Sequence, residues 1–133
     1  MSDLVRVAVD AMGGDYAPVE PVKGAVEAVN ADERVKVQLV GQVDVIEKEL
    51  QKYTYPKERV EIVPATEIIE TGEPPVNAIR HKKDSSIVVG MKKVRCGEAD
   101  AFVSSGSTGA VLVGGQTIVG RIKGRRAPRR WLR

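Results

Sequence analysis

Three stretches of this chain combine residue types that do chemistry. In Ser104-Ser105-Gly106-Ser107-Thr108-Gly109, hydroxyls alternate with glycines between two apolar runs. Between a strand and a helix, such a loop offers an anion backbone N–H groups, hydroxyl donors and the positive end of the helix together. The same residues also suit an ordinary turn that ends in a Ser/Thr helix cap. Arg80-His81-Lys82-Lys83-Asp84-Ser85-Ser86 sets cations beside hydroxyls. Arg80, Lys82 and Lys83 have the charge to neutralise a phosphate, and Ser85 and Ser86 have donors for it at the start of the next helix. A solvated basic face is the other reading of that run. The third stretch is Asp10-Ala11-Met12-Gly13-Gly14-Asp15, where a β-branched run breaks at an acid and then at two glycines. Its two carboxylates either orient a substrate group or catalytic cation, or satisfy loop amides as turn residues do.

Other chemistries find less support. Without a partner histidine or a third ligand, Asp10 and Asp15 make no metal site. No Lys follows Gly109, so the loop is not a P-loop, and no Gly-x-Gly-x-x-Gly fingerprint supports a nucleotide cofactor. His81 is the single histidine; beside lysines it is held neutral more readily and suits a general base, or it is a surface residue of no consequence. Cys96, the single cysteine, stands at a helix end with no partner and reads as a small, buried or partly buried residue. It excludes an internal disulfide framework and fits a reducing compartment.

The elements that must position these loops follow from periodicity. Val5 to Asp10 reads as a buried strand, Pro18 to Asn30 as a helix with Val22, Ala25, Val26 and Val29 on one face, and Asp15 as a possible contributor to its cap. Val35 to Gly41 is a second strand, Val43 to Tyr53 a second helix, and Val60 to Pro64 a third strand. Ala65 to Asn77 is a polar, proline-containing loop. A helix from about Ile87 to Arg95 stops at Gly97, and Ala99 to Val103 is a fourth strand. Ala110 to Val119 is an apolar helix in which Gly114 and Gly115 permit close packing. Strands alternating with helices predict an α/β fold with a parallel sheet of about four βα units and right-handed crossovers. In open sheets of this kind ligands bind beyond the carboxyl ends of the strands, where the glycine-rich loops lie.

Composition agrees. A chain of 133 residues fits one domain and buries roughly two thirds of its unfolded surface. With one Phe and one Trp among 42% apolar residues, the core must be built from Val, Ile, Leu and Ala, as in a parallel sheet covered by helices. The net charge is +3, but Arg125, Arg126, Arg129, Arg130 and Arg133 lie together in the last nine positions, which hold no acid. Without them 16 basic residues face 18 acidic ones, a net charge of −2, so the body is mildly acidic and the basic balance of the whole chain is no argument for a nucleic-acid surface. No signal peptide precedes the first strand and no apolar run approaches the ~20 residues of a membrane-spanning helix.

Taken together, Val9-Asp10-Ala11-Met12-Gly13-Gly14-Asp15-Tyr16-Ala17-Pro18, Ile79-Arg80-His81-Lys82-Lys83-Asp84-Ser85-Ser86 and Ser104-Ser105-Gly106-Ser107-Thr108-Gly109-Ala110 resemble the phosphate acyltransferase family of bacterial phospholipid synthesis. Ile118 to Gly124 extends the likeness, which spans residues 4 to 124. The resemblance implies a cytoplasmic enzyme that transfers an acyl group from acyl carrier protein to inorganic phosphate and releases acyl phosphate, without a cofactor. It further implies a homodimer in peripheral contact with the membrane and a three-layer fold similar to isocitrate and isopropylmalate dehydrogenases. On this match Asp10, Lys82 and Lys83 are the candidate catalytic residues. Gly13, Gly14, Asp15, Ser85, Ser86, Ser105, Gly106, Ser107, Thr108 and Gly109 are the candidates for binding phosphate.

The likeness also has an edge. Family members are far longer, and after Gly124 they continue with something like Val-Glu-Arg-Pro-Ala, where this chain reads Arg125-Arg126-Ala127-Pro128-Arg129-Arg130-Trp131. One set of codons for Arg125 to Trp131, CGT CGA GCG CCC CGC CGC TGG, would on a shift of one base encode Val-Glu-Arg-Pro-Ala-Ala. The expectation is a family domain over residues 1–124, a basic tail over 125–133 that arose by a frameshift and is non-native or disordered, and little or no turnover by this chain. A non-catalytic fragment that binds phosphate or acyl carrier protein is the alternative.

Overall fold

The computed structural model describes residues 4–70 and 72–119. Strand β1 (Val5–Asp10) is followed by helix α1 (Val19–Ala31), β2 (Val35–Gly41), α2 (Val43–Leu50), a 3-10 turn at Lys57–Arg59, and β3 (Val60–Pro64). Helices α3 (Pro75–His81) and α4 (Ser86–Arg95), strand β4 (Ala101–Val103) and helix α5 (Thr108–Gly114) complete the order, and α5 runs into a π-helical turn at Gly115–Val119. The expectations for residues 120–124 and for the tail fall outside the described residues.

The four strands form one sheet in the order β3-β2-β1-β4, every pair parallel. Successive side chains of a strand face opposite sides, so the sheet serves two cores, although at the edge strand β4 only Phe102 joins one and Ala101 and Val103 are exposed. On one side Val37 and Leu39 pack with Val22, Ala25, Val26 and Val29 of α1 and Ile46 and Leu50 of α2. On the other, Ala8, Val40 and Val63 meet Val89 and Val94 of α4 and the ring of Phe102. A third cluster, Ile69, Ala78, Ile87, Met91 and Ala110, joins α3, α4 and α5. Small residues set the spacing of that layer. A Cβ on Gly90 would overlap the Phe102 ring, and one on Gly114 would overlap Met91. Gly115, expected to share this role, has open space where its Cβ would be.

The chain runs β1, β2, β3 in one direction and then returns across the sheet to place β4 on the far side of β1. The loops leaving β1 and β4 therefore diverge onto opposite faces, and the crevice between them is the switch point where open α/β sheets receive ligands. Asp10, at the carboxyl end of β1, has the same parity as Ala8 and so faces the α4 layer rather than α1.

Three local expectations need correction. Residues 75–81, assigned partly to a loop, form helix α3: Pro75 occupies its first turn, where a missing N–H costs nothing, and Arg80 and His81 close its last turn. Asp15 does not cap α1; the helix follows Pro18 with no side-chain cap, and backbone bonds from Glu20 to Tyr16 and from Val22 to Pro18 (3.0 and 3.1 Å) organise its start. Cys96 is exposed, because it caps the carboxyl end of α4 off the stripe of Ile87, Val88 and Met91, just before Gly97 turns the chain at φ +77°.

Gly24 is exposed in the middle of α1, and a Cβ there would meet nothing within 4 Å. Gly24→Ala is expected to stabilise the protein by about 0.5–1 kcal/mol by removing backbone freedom from the unfolded chain. Thermal melting checks this as a rise of a few degrees.

Candidate functional site

Asp10 is the centre of the site and is 2% exposed. Its Oδ1 accepts the Met12 N–H at 3.0 Å and the Ser86 hydroxyl at 2.5 Å, and its Oδ2 accepts the Ser104 hydroxyl at 2.7 Å. The Ser104 oxygen in turn accepts the Gly106 N–H at 3.0 Å. The close approach of the loops over this knot requires glycine at Gly13 and favours it at Gly106. A Cβ on Gly13 would collide with the Asp10 carboxylate and stand 2.9 Å from the Gly106 nitrogen, while one on Gly106 would be 3.3 Å from Gly13 Cα. Gly14 adopts φ +96°, a left-handed conformation that L side chains avoid. Gly13, Gly14, Asp15 and Ser105, with Tyr16, Glu20 and Pro21 of the α1 entry, line a cleft of about 200 Å³. Among the described residues the N–H groups of Gly13, Gly14 and Ser105 donate to no protein acceptor. The cleft therefore offers backbone donors, with acidic side chains at its rim.

The remaining candidates divide by what already occupies them. Ser85 is fully buried and caps α4, its hydroxyl accepting the Val88 N–H at 3.2 Å. Ser107 caps α5 in the same way, accepting the Ala110 N–H at 3.2 Å. Neither hydroxyl faces the cleft as a ligand, and Ser86 is spent on Asp10. Thr108 and Gly109 open α5; Gly109 lets Pro75 of α3 pack against the helix, since a Cβ there would be 2.6 Å from the proline ring. Lys82 donates to the Glu73 carboxylate at 2.6 Å and to the Ile68 carbonyl at 2.8 Å, which ties down the chain ahead of α3. Lys83 and His81 are exposed. No hydrogen bond or ion pair joins Lys82 or Lys83 to the cleft among the described residues. Nor does any group of three His, Cys, Asp or Glu side chains gather there as a metal site.

Ser104 went unassigned on sequence grounds, although the register contains the signal. Val9 pairs with Val103, so the next residue of each strand must lie side by side at the sheet's edge. The α4 layer reaches Asp10 because its amino end is sewn to the β3 exit. Asp84 accepts the Thr66 N–H and hydroxyl (3.0 and 2.5 Å), and Ser86 N–H donates to the Glu67 carbonyl at 3.2 Å.

These ties carry a pH signature. The Lys82 ammonium, then the Glu70 N–H, hold Glu73 below the usual carboxylate range; the Thr66 hydroxyl and N–H lower Asp84; the Arg6 N–H and guanidinium lower Asp100. Each folded-state value lies below its unfolded one, so the stabilisation is complete above about pH 5 and is lost as pH falls through the depressed values. Melting temperature is expected to fall on acidification from pH 5 towards pH 3, with a shallower fall in Glu73→Gln and Asp84→Asn.

The geometry defines a class first: a doubly wound α/β protein whose switch-point crevice is walled by two glycine loops presenting backbone donors. The comparisons then supply the family. The profile described as "Fatty acid synthesis protein" matches residues 5–129. The chain is 51% identical over 121 residues to the phosphate acyltransferase of Alkaliphilus oremlandii, a match that covers 90% of this chain and 36% of that protein. It is 48% identical over 124 residues to that of Clostridium beijerinckii (93% and 37%) and 48% over 120 residues to that of Clostridioides difficile (90% and 35%). The chain belongs to this family of fatty acid synthesis proteins, which the phosphate acyltransferases represent here, and spans about a third of the length of the curated relatives it matches. Among the described residues no helix is long and apolar enough to cross a membrane.

Proposed function

We propose that this chain carries the phosphate-binding part of a phosphate acyltransferase site. In the complete reaction a phosphate oxygen attacks the thioester carbonyl of an acyl group on acyl carrier protein. The C–S bond breaks, the carrier's sulfur takes up a proton, and acyl phosphate leaves. No covalent enzyme nucleophile is needed; the protein must hold the anion in line and stabilise the oxyanion that forms. The observation that carries the reading is the cleft at the switch point, where the Gly13, Gly14 and Ser105 N–H groups are unpaired within the described protein. Backbone donors of this kind suit a tetrahedral oxyanion and recognise it by geometry. The fold proposed for the whole protein is the three-layer one of isocitrate and isopropylmalate dehydrogenases, of which the parallel sheet with helices on both faces would form part.

Because the chain spans a third of its relatives' length, the second part of the proposal is that it binds phosphate with little or no turnover. Inorganic phosphate is expected to raise the melting temperature, by about 2.7 kcal/mol of stabilisation at 100 times its dissociation constant. No shift at millimolar phosphate refutes the binding site. Robust acyl phosphate formation from acyl carrier protein thioester refutes the loss of turnover.

A further inference from the structure

We infer that Asp10 is a positioning residue: its buried carboxylate fastens the β1–α1 loop, the first turn of α4 and the β4–α5 loop to one another, and so sets where the cleft's donors stand. The inference rests on the phosphate-binding reading above. Its three hydrogen bonds come from residues 2, 76 and 94 positions away in sequence, so one carboxylate holds three separate segments. A hydroxyl has a single proton. Ser104 gives its proton to Asp10, so its oxygen is left to accept from Gly106, and the order of the relay is determined from the carboxylate outward. Gly13 and Gly106 close against the same Oδ2 atom. Both oxygens of Asp10 are engaged and the residue is shielded from solvent, which leaves it poorly placed to take a proton from substrate and well placed to hold the loops. An unpaired carboxyl group would be costly at such a site; its three hydrogen bonds compensate for that burial. The arrangement explains why both loops are anchored beneath the cleft although no backbone hydrogen bond joins them to each other among the described residues.

The test compares Ser104→Ala, Ser86→Ala and Ser104→Thr in two measurements: calorimetric affinity for inorganic phosphate, and amide exchange at Met12 and Gly106. Removing either serine hydroxyl is expected to weaken phosphate binding about tenfold or more, the worth of one hydrogen bond to a charged group. Ser86→Ala is also expected to speed exchange at Met12, whose N–H shares the Asp10 Oδ1 with the Ser86 hydroxyl, and Ser104→Ala at Gly106, whose N–H loses its acceptor, while the Val7, Val9 and Leu39 amides keep their protection. Ser104→Thr, which retains the hydroxyl, is expected to restore both. Met12 exchange that stays unchanged in both alanine variants overturns the inference, because Gly106 loses its own acceptor in Ser104→Ala whatever Asp10 does. If the unsubstituted chain takes up no phosphate, the functional reading fails by itself, and the exchange comparison still decides the positioning role. Loss of strand protection in Ser104→Ala passes the decision to Ser86→Ala, whose unchanged Met12 exchange would overturn it.

Discussion

Gly13→Ala is expected to abolish the phosphate-dependent rise in melting temperature and to lower stability by about 1–3 kcal/mol, the usual cost of forcing extra volume into a packed site. The added methyl would meet two things that cannot step aside: a carboxylate held by three hydrogen bonds and the backbone nitrogen of Gly106. Either the β1–α1 loop or the β4–α5 loop must move, and the cleft lies between them. Gly24→Ala supplies the contrast, because the same added carbon there meets nothing and removes a helix-interior glycine. Paired melts of the two variants with and without phosphate separate a site effect from a general one. A Gly13→Ala protein that still responds to phosphate like the unsubstituted chain would show that the crevice is not where the anion sits.

The strands and both glycine loops were legible in the sequence because each rests on local information. β2, buried on both faces, is a largely apolar run, β1 is a β-branched run though its Val5 is exposed, and the turns that end Asp10 and Val103 are written in glycine and serine. Helix α3 was only partly legible, since Pro74 and Pro75 look like loop residues until the second is placed at a first turn. The division of labour among the serines was not legible. Ser85 and Ser86 are adjacent and chemically identical, yet one caps α4 and the other reaches Asp10 across 76 positions, and only the docking of α4 on the sheet decides which does which. The same applies to Lys82. Its neighbours in sequence are cations and hydroxyls, which suggest an anion, but its partner in space is Glu73. Tertiary contacts between charges leave no periodic trace.

Leu39→Ala is expected to cost about 3–5 kcal/mol, in the upper part of the range for such truncations. Leu39 is fully buried in the middle of β2, with Val9 of β1 and Ile62 of β3 paired on either side. Two parallel neighbours hold its backbone in place, so α1 and α2 cannot collapse far into the cavity, and the residual void raises the cost. Against a total of about 5–15 kcal/mol for an ordinary domain, the variant loses a large share of its margin. Urea titration is expected to give a lower midpoint with an unchanged slope. Leu39 packs in the cluster of Val22, Ala25 and Ile46, which contains none of the residues lining the cleft, and the Asp10 knot faces α4, so the substitution is expected to leave the two glycine loops in place. Phosphate at 100 times its dissociation constant should then return about 2.7 kcal/mol to Leu39→Ala and nothing to Gly13→Ala. Such a split would assign the first residue to stability alone and the second to the anion cleft; equal recovery in both would place phosphate elsewhere on the protein.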